Sequence, residues 1–440
     1  SRFGTGPVTV GAGTSYGATY ASGGAPFLVM TSTAAATLPN NIILPNPGST
    51  AYYALQKLAA SSTTGTNLNL TGTISGGGAN SILQLDSATG GDSTTSFTLS
   101  GTNTLSGQIR LNRGCVILTN VGSLGNASLF VQTNGNATDG NIRFTNAFTL
   151  PNNIIFGSTN GNTINTGAND VILSGVVSGG AAWSKVNGAG TLTLAGINTG
   201  TGNITVNAGT IKVTGTIFSD VYNDKVITLA SGTTLELQNW GYDQTAAHTT
   251  SLGGLTANAT ALVINGATIR VVGTTPTSYN RGFTVNAGGA TFEAGAGANW
   301  EMTSAVAPVF TGNPSLVFTG AGTGRFDKVF TGTGGLTKSG TGRWTLGGDN
   351  TYTGATSVTG GTLVVSGNQP TATGSVSVAN AATTLAGSGT IGGATTLATG
   401  TILAPGVDGV GTLAFADNLT LDSGSSYAVE ITSATTNDKV

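Results

Sequence analysis

The chain has 440 residues, a formal net charge of −2, 7% charged residues, one cysteine and one histidine. Charge this sparse and balanced gives no field for nucleic acid or an anionic membrane surface, and the lone Cys115 permits no internal disulfide. Hydrophobic residues make up 38% and are spread along the whole length, which excludes simple disorder, while no apolar run of 18 residues reads as a membrane helix.

Near the start, "GPVTVGAGTS" at 6–15 reads as strand, turn, strand. Residues 1–96 are expected to form degenerate coils, with an irregular insertion near 40–62. Within it, "TAYYALQKLAASS" is expected to make one short helix near 50–60, because Ala, Leu, Gln and Lys favour helix. Residues 97–440 carry clearer repetition, with copies at 97–125, 183–215 and 336–367. Moving "AGINTGTGNITVNAGTIKVTG" (195–215) back by 95 residues places Gly196, Asn198, Gly202 and Ile204 on Gly101, Asn103, Gly107 and Ile109. Moving it forward by 152 places the same four on Gly348, Asn350, Gly354 and Thr356. Between the copies, "ALVINGATIRVVG" (261–273), "GFTVNAGGATFEAG" (282–295) and "VSVANAATTLAGSG" (376–389) repeat the strand–turn–strand pattern. The alternation has period two, the mark of strands, and the Gly and Asn turns tolerate positive φ.

The sequence is therefore all-β, with short strands every 8–12 residues and no break in composition. A sandwich or barrel normally stops near 250 residues, so unbroken repetition favours a β-solenoid, a parallel β-helix in which coils stack at ~4.8 Å. At ~20 residues per coil, 440 residues would give ~22 coils and a single elongated rod on the order of 100 Å. Gly and Thr are then the residues of corners and outward positions, and isolated apolar residues fill the inside.

The run "LTKSGTGRWTLGGDNTYTGATSVTGGTLVVSG" (336–367) resembles the autotransporter-associated β-strand repeat of bacterial passenger regions and other very large bacterial surface proteins. Lys338, Gly340, Gly342, Leu346, Gly348, Asn350, Tyr352, Gly354, Val358, Gly361 and Leu363 fall on its pattern. The copy at 185–215 has Gly200 in place of the Tyr, and the copy near 97–125 has Leu105. The segment 385–440, with "LAPG" and "GTL", is similar to the stretch that comes after such repeats. The resemblance implies a right-handed β-helix displayed outside a bacterial cell. Both ends read as cut from a longer chain, and membrane contact is expected only through a part outside it.

β-Helices also include polysaccharide-degrading enzymes, whose sites need converging carboxylates. Here the acids are scattered. Asp220 and Asp224, beside Tyr222 and Lys225, read as a solvated loop. Glu293 and Glu301 flank "AGAGANW", and Asp417 and Asp422 bracket "NLTL", positions typical of surface turns. Cys115 stands where the other copies have Thr210 and Thr362, and reads as a strand thiol. His248 reads as a loop residue. One Cys and one His make no zinc site. "GAGTG" (320–324) and "GTGG" (332–335) lack the lysine and strand–helix context of a phosphate loop. Arg325, Lys328, Lys338 and Arg343, with Asp327 and Asp349 among them, read as a solvated face. Trp183, Trp240, Trp300, Tyr242 and Tyr352 could stack sugars, but core or capping roles fit them better. Asn126, Asn136, Asn203, Asn258 and Asn418 stand in N-x-S/T triplets.

No catalytic, cofactor or metal residues are expected. The reading is a non-catalytic extracellular structural or adhesive protein, a surface stalk or passenger mediating attachment or matrix formation. Alternatives are a repeating subunit of an extracellular filament or sheath, and, less favoured, a polysaccharide-degrading enzyme. Expected partners are other copies end to end, surface proteins or glycans.

Overall fold

The computed structural model describes residues 6–9, 28–30, 35–48, 50–57, 66–87, 95–132, 139–157, 161–217, 225–240, 251–252, 258–273, 277–278, 282–303, 306–432 and 437–440. Over these the chain is all-β, apart from one 3₁₀ turn at Ala259–Ala261. Neighbouring strands run parallel, as in Gln108–Leu111 with Ser128–Val131 and Leu336–Lys338 with Thr356–Val358. A parallel neighbour cannot be reached by a hairpin; the chain must travel round and come back. It therefore winds as a β-solenoid, in two compact units, Ser1–Asp220 and Val221–Val440.

In the first unit, one face is a seven-stranded sheet running from Leu28–Met30 to Val177–Ser178. A second face climbs through Asn67–Leu70, Ser96–Leu99, Cys115–Leu118, Ile142–Phe144, Asn162–Asn165, Trp183–Lys185 and Ile204–Val206. A short separate sheet holds Ile42–Leu44 and Ile74–Gly76 early on, and from Thr149–Leu150 another face climbs through Val171–Leu173 and Thr191–Leu194 to Thr210–Val213. In the second unit, an eight-stranded sheet runs from Thr277–Ser278 to Ser426–Tyr427. Another face climbs from Thr234–Leu237 through Ala290–Ala294 and Thr356–Val358 to Leu419–Leu421.

The core consists of inward columns with one residue from each tier. In the first unit Leu68, Phe97, Val116, Ile142 and Ile164 are in register, and all are 0% exposed. In the second unit Phe292, Phe318, Lys338, Val358, Val378 and Leu397 form such a column. Aromatic rings thicken it: Phe318 stacks on Trp344 at 4.6 Å, and Trp344 meets Trp300 edge-on at 5.7 Å. Gly324 sits in register between those two indoles, and a Cβ there would overlap the Trp344 ring.

Two expectations are corrected. Ala51–Lys57 is a strand, not a helix, paired with Leu28–Met30 and with Ser81–Ser87. A helix this short is marginal alone, whereas the ladder on both sides bonds its backbone and buries Ala51, Tyr53 and Leu55 inward. The other concerns coil length. The step is 18 residues from Thr384 to Ile402 but 35 from Ile227 to Leu262. Connections lengthen many tiers without changing the strands, so fewer coils form than ~20 residues per coil would give.

Corner glycines allow tiers to stack this closely. Gly354, Gly374 and Gly393 occupy one corner of three successive tiers, and a Cβ on each would overlap the carbonyl of the corner below. Gly354 has no positive φ, so close approach alone demands glycine there. Gly354→Ala is predicted to lower stability by about 2 kcal/mol or more, read as a drop in calorimetric Tm. Gly180→Ala, where the nearest neighbour is Thr201 Oγ1 at 3.6 Å, should change it little.

Candidate functional site

The repeat motif is the place where side-chain chemistry recurs, and it binds tier to tier. Asn103 Oδ1 accepts the Ile74 N–H from the tier below at 2.7 Å, and its Nδ2 donates to the Ser123 carbonyl above at 2.6 Å. Asn198 does the same with Val177 N–H and the Thr216 carbonyl, both at 2.9 Å. Asn350 accepts from Phe330 N–H at 2.7 Å, and its buried Nδ2 has no partner. The G-x-N corner thus satisfies buried backbone groups where the ladder turns.

Lys338 points inward in its apolar column and is 0% exposed. Its Nζ donates to the carbonyls of Ser339 at 2.8 Å, Gly340 at 3.1 Å and Gly360 at 2.8 Å. Lys185, also 0% exposed, reaches the carbonyls of Gly188 at 3.3 Å and Ala208 at 2.8 Å. Burial pushes the pKa of both ammonium groups down to about 8. These lysines join the corner of their own tier to that of the next. Lys338 and Lys328, 4% exposed, do not belong to a solvated face, which corrects that expectation. Arg325 and Arg343 do lie at the surface, paired with Asp327 at 2.7 Å and Asp408 at 2.6 Å. Sequence reasoning passed over Lys185, although a lysine shortly before the turn glycine recurs in both copies.

The other motif positions divide into core and corner. Leu346, Tyr352, Val358 and Leu363 are buried. Gly340 and Gly361 hold φ of 70° and 65°, and Gly342 and Gly348 would collide with the tier below if they carried a Cβ. Tyr352 stacks on Phe330 at 4.8 Å and shares a 2.6 Å hydrogen bond with Thr356 Oγ1. In the first copy the slot holds Leu105, with Ile109 in place of the threonine, both 0% exposed. Gly200 leaves the slot empty, and a small cavity of about 10 Å³ sits there, lined by Val177, Trp183, Leu194, Asn198, Ile204 and Ile217. A second, of about 20 Å³, lies beside Tyr352. Each has room for a water and neither for a substrate.

Elsewhere among the described residues, the paired acids singled out in the sequence do not come together. Glu293 and Glu236 flank Arg270 on adjacent tiers, at 2.9 and 3.3 Å, and form an outward ion ladder. Glu301 stands on a different strand, Asn299–Met302. Asp417 and Asp422 are exposed at turns. Asp220, Tyr222, Asp224, Tyr242, His248 and Asn136 lie outside the described residues. Among the described residues no three His, Cys, Asp or Glu side chains group as a metal site would need. Cys115 is buried in its strand, and burial pushes its thiol up to about 12, leaving it protonated and unreactive at neutral pH. Trp183, Trp240, Trp300 and Tyr352 are all at most 5% exposed, so none offers a face to a sugar. Gly320 in "GAGTG" and Gly332 in "GTGG" hold φ of 99° and 97°, as corner turns. Asn126, Asn203, Asn258 and Asn418 are exposed.

The recurring corners have counterparts in known proteins. Residues 186–213 and 336–365 match the passenger-associated-transport-repeat family. The chain carries autotransporter passenger repeats. Over 275 residues it is 29% identical to the adhesin BmaC autotransporter of Brucella suis biovar 1 (strain 1330), an alignment covering 60% of this chain and 6% of that protein. The chain thus spans a small part of its relative's length. No solved structure matches it. Repeats and relative together indicate the extracellular cell surface as the location.

The empty slot and the buried lysines each give a measurable outcome. Gly200→Ala should place a methyl group at the slot, since Gly200 has no positive φ and a Cβ there meets nothing closer than 3.6 Å; a gain of about 0.5 kcal/mol, seen as a higher Tm, is expected. For the buried lysines, the folded pKa lies below an unfolded value of about 10.4. Between the two the unfolded chain binds the proton more tightly, so stability rises as pH climbs from about 8 to about 10. Urea unfolding across that range should show the rise in the wild type and a flatter profile in Lys185→Met/Lys338→Met.

Proposed function

We propose that this chain is a non-catalytic part of a surface passenger, a β-solenoid stalk that presents its outward residues and connections for attachment or matrix formation. The observation that carries this reading is where the polar chemistry is spent. Asn103, Asn198, Lys185 and Lys338 are all committed to backbone groups of their own or adjoining tiers. Glu236 and Glu293 serve an ion ladder on Arg270, Asp417 and Asp422 stand at turns, and neither described cavity is of substrate size. Likeness to an adhesin autotransporter supports an adhesive role. A repeating scaffold with variable connections suits a large, shallow binding surface better than a reaction centre.

The matching partners are glycans or proteins of another surface, or further copies of the chain. Purified protein applied to arrays of glycans and extracellular-matrix proteins should give saturable binding to at least one class. Sedimentation at rising concentration reads self-association in the same preparation. Release of reducing ends from acidic polysaccharide, without retention on any array, would overturn the reading in favour of an enzyme.

A further inference from the structure

The outward side of the eight-stranded sheet departs from the usual pattern. On Arg343–Leu346, Thr362–Val365 and Thr384–Gly387, alternation places Trp344, Leu363 and Leu385 inward and Thr345, Val364 and Ala386 outward. Outward residues normally meet water, yet these three are only 7, 1 and 8% exposed. Val364 is as buried as the core residues beside it.

Residues 406–411 lie on that side. The chain leaves the strand Ile402–Pro405 and turns back toward the earlier tiers. Gly406 and Gly387 exchange both backbone hydrogen bonds, at 2.7 and 3.1 Å, in an antiparallel bridge among parallel sheets. Asp408, with φ 55°, then meets Arg343 two tiers further back, its Oδ1 accepting from Nη1 at 2.6 Å. Gly411 returns past Ser388. Its N–H donates to Asp438 Oδ1 at 2.8 Å, and its carbonyl accepts from Lys439 N–H at 3.0 Å. The segment is thus tied at its base, its tip and its return.

We propose that residues 406–411 form a strap that fastens the tiers of Arg343–Leu346, Thr362–Val365, Thr384–Gly387 and Ile402–Pro405 into one block that opens and closes as a unit. In a solenoid each tier otherwise touches only its neighbours, so opening can advance one tier at a time. A strap reaching across several tiers couples their opening, because none can separate without releasing it. Exposed ion pairs contribute little alone; here the pair sits at the tip of a segment whose base is held by a backbone bridge. The strap lies beyond the matched repeat, which ends at residue 365.

Hydrogen exchange followed by mass spectrometry on the whole chain tests this, with Asp408→Ala, Arg343→Ala and the double variant. Asp408 is 76% exposed in its side chain, so its loss leaves the core intact. Each single variant should speed exchange at least fivefold in peptides covering 362–365 and 384–387 together, and the double variant should go no further than either single one. Faster exchange confined to 406–411, or effects of the two substitutions that multiply independently, would overturn the strap.

Discussion

Half of the backbone hydrogen-bonding groups of a solenoid tier stay unpaired until the next tier lands on them. Everything else in this chain answers to that requirement. A buried amide or carbonyl without a partner costs as much as a lost hydrogen bond, so each lap must lie in register on the one before. Strands solve this along the faces, where registers such as Thr337 with Ser357 and Ser377 continue tier after tier. Corners are harder, because the ladder stops where the chain turns. There the protein uses three devices: glycines that remove the obstructing Cβ, asparagines that bond backbone groups above and below, and inward lysines that collect carbonyls.

These devices occupy much of the polar side-chain chemistry among the described residues. An inward lysine is costly to bury, and Lys338 is tolerated because three carbonyls take its three N–H groups. An asparagine at the corner competes with turns elsewhere, but here it completes the ladder. Residues that could have served a reaction are used to hold tiers together. The outer surface keeps Thr, Ser, one ion ladder and a few single ion pairs, and the connections vary in length from tier to tier.

Much of the architecture was legible in the sequence because it is locally periodic. Alternation along Thr362–Val365 and the offsets linking Asn103, Asn198 and Asn350 needed no tertiary knowledge. Burial of the tryptophans also agreed with the core reading. What escaped was non-local. Ala51–Lys57 carries helix-favouring residues, and only the strands on either side make it extended. Lys338 was legible as a motif position, but its charge suggested water, and only the stacked carbonyls of Gly340 and Gly360 explain why it turns inward. The wide range of coil lengths comes from connections that have no period. The pairing of Asp408 with Arg343 joins residues 65 apart in sequence, and no local pattern signals it.

The central claim is that consecutive laps lie in parallel register, one strand spacing apart. Paired cysteines at Thr337 and Ser357, whose Cα atoms are register partners on adjoining tiers, test it most directly. Under mild oxidant, Thr337→Cys/Ser357→Cys should close a disulfide in the folded protein, as a spacing of ~4.8 Å permits. Thr337→Cys/Ser377→Cys, two tiers apart, should stay reduced. Closure of the second pair and not the first, or of neither, would contradict the stacking on which the whole account rests.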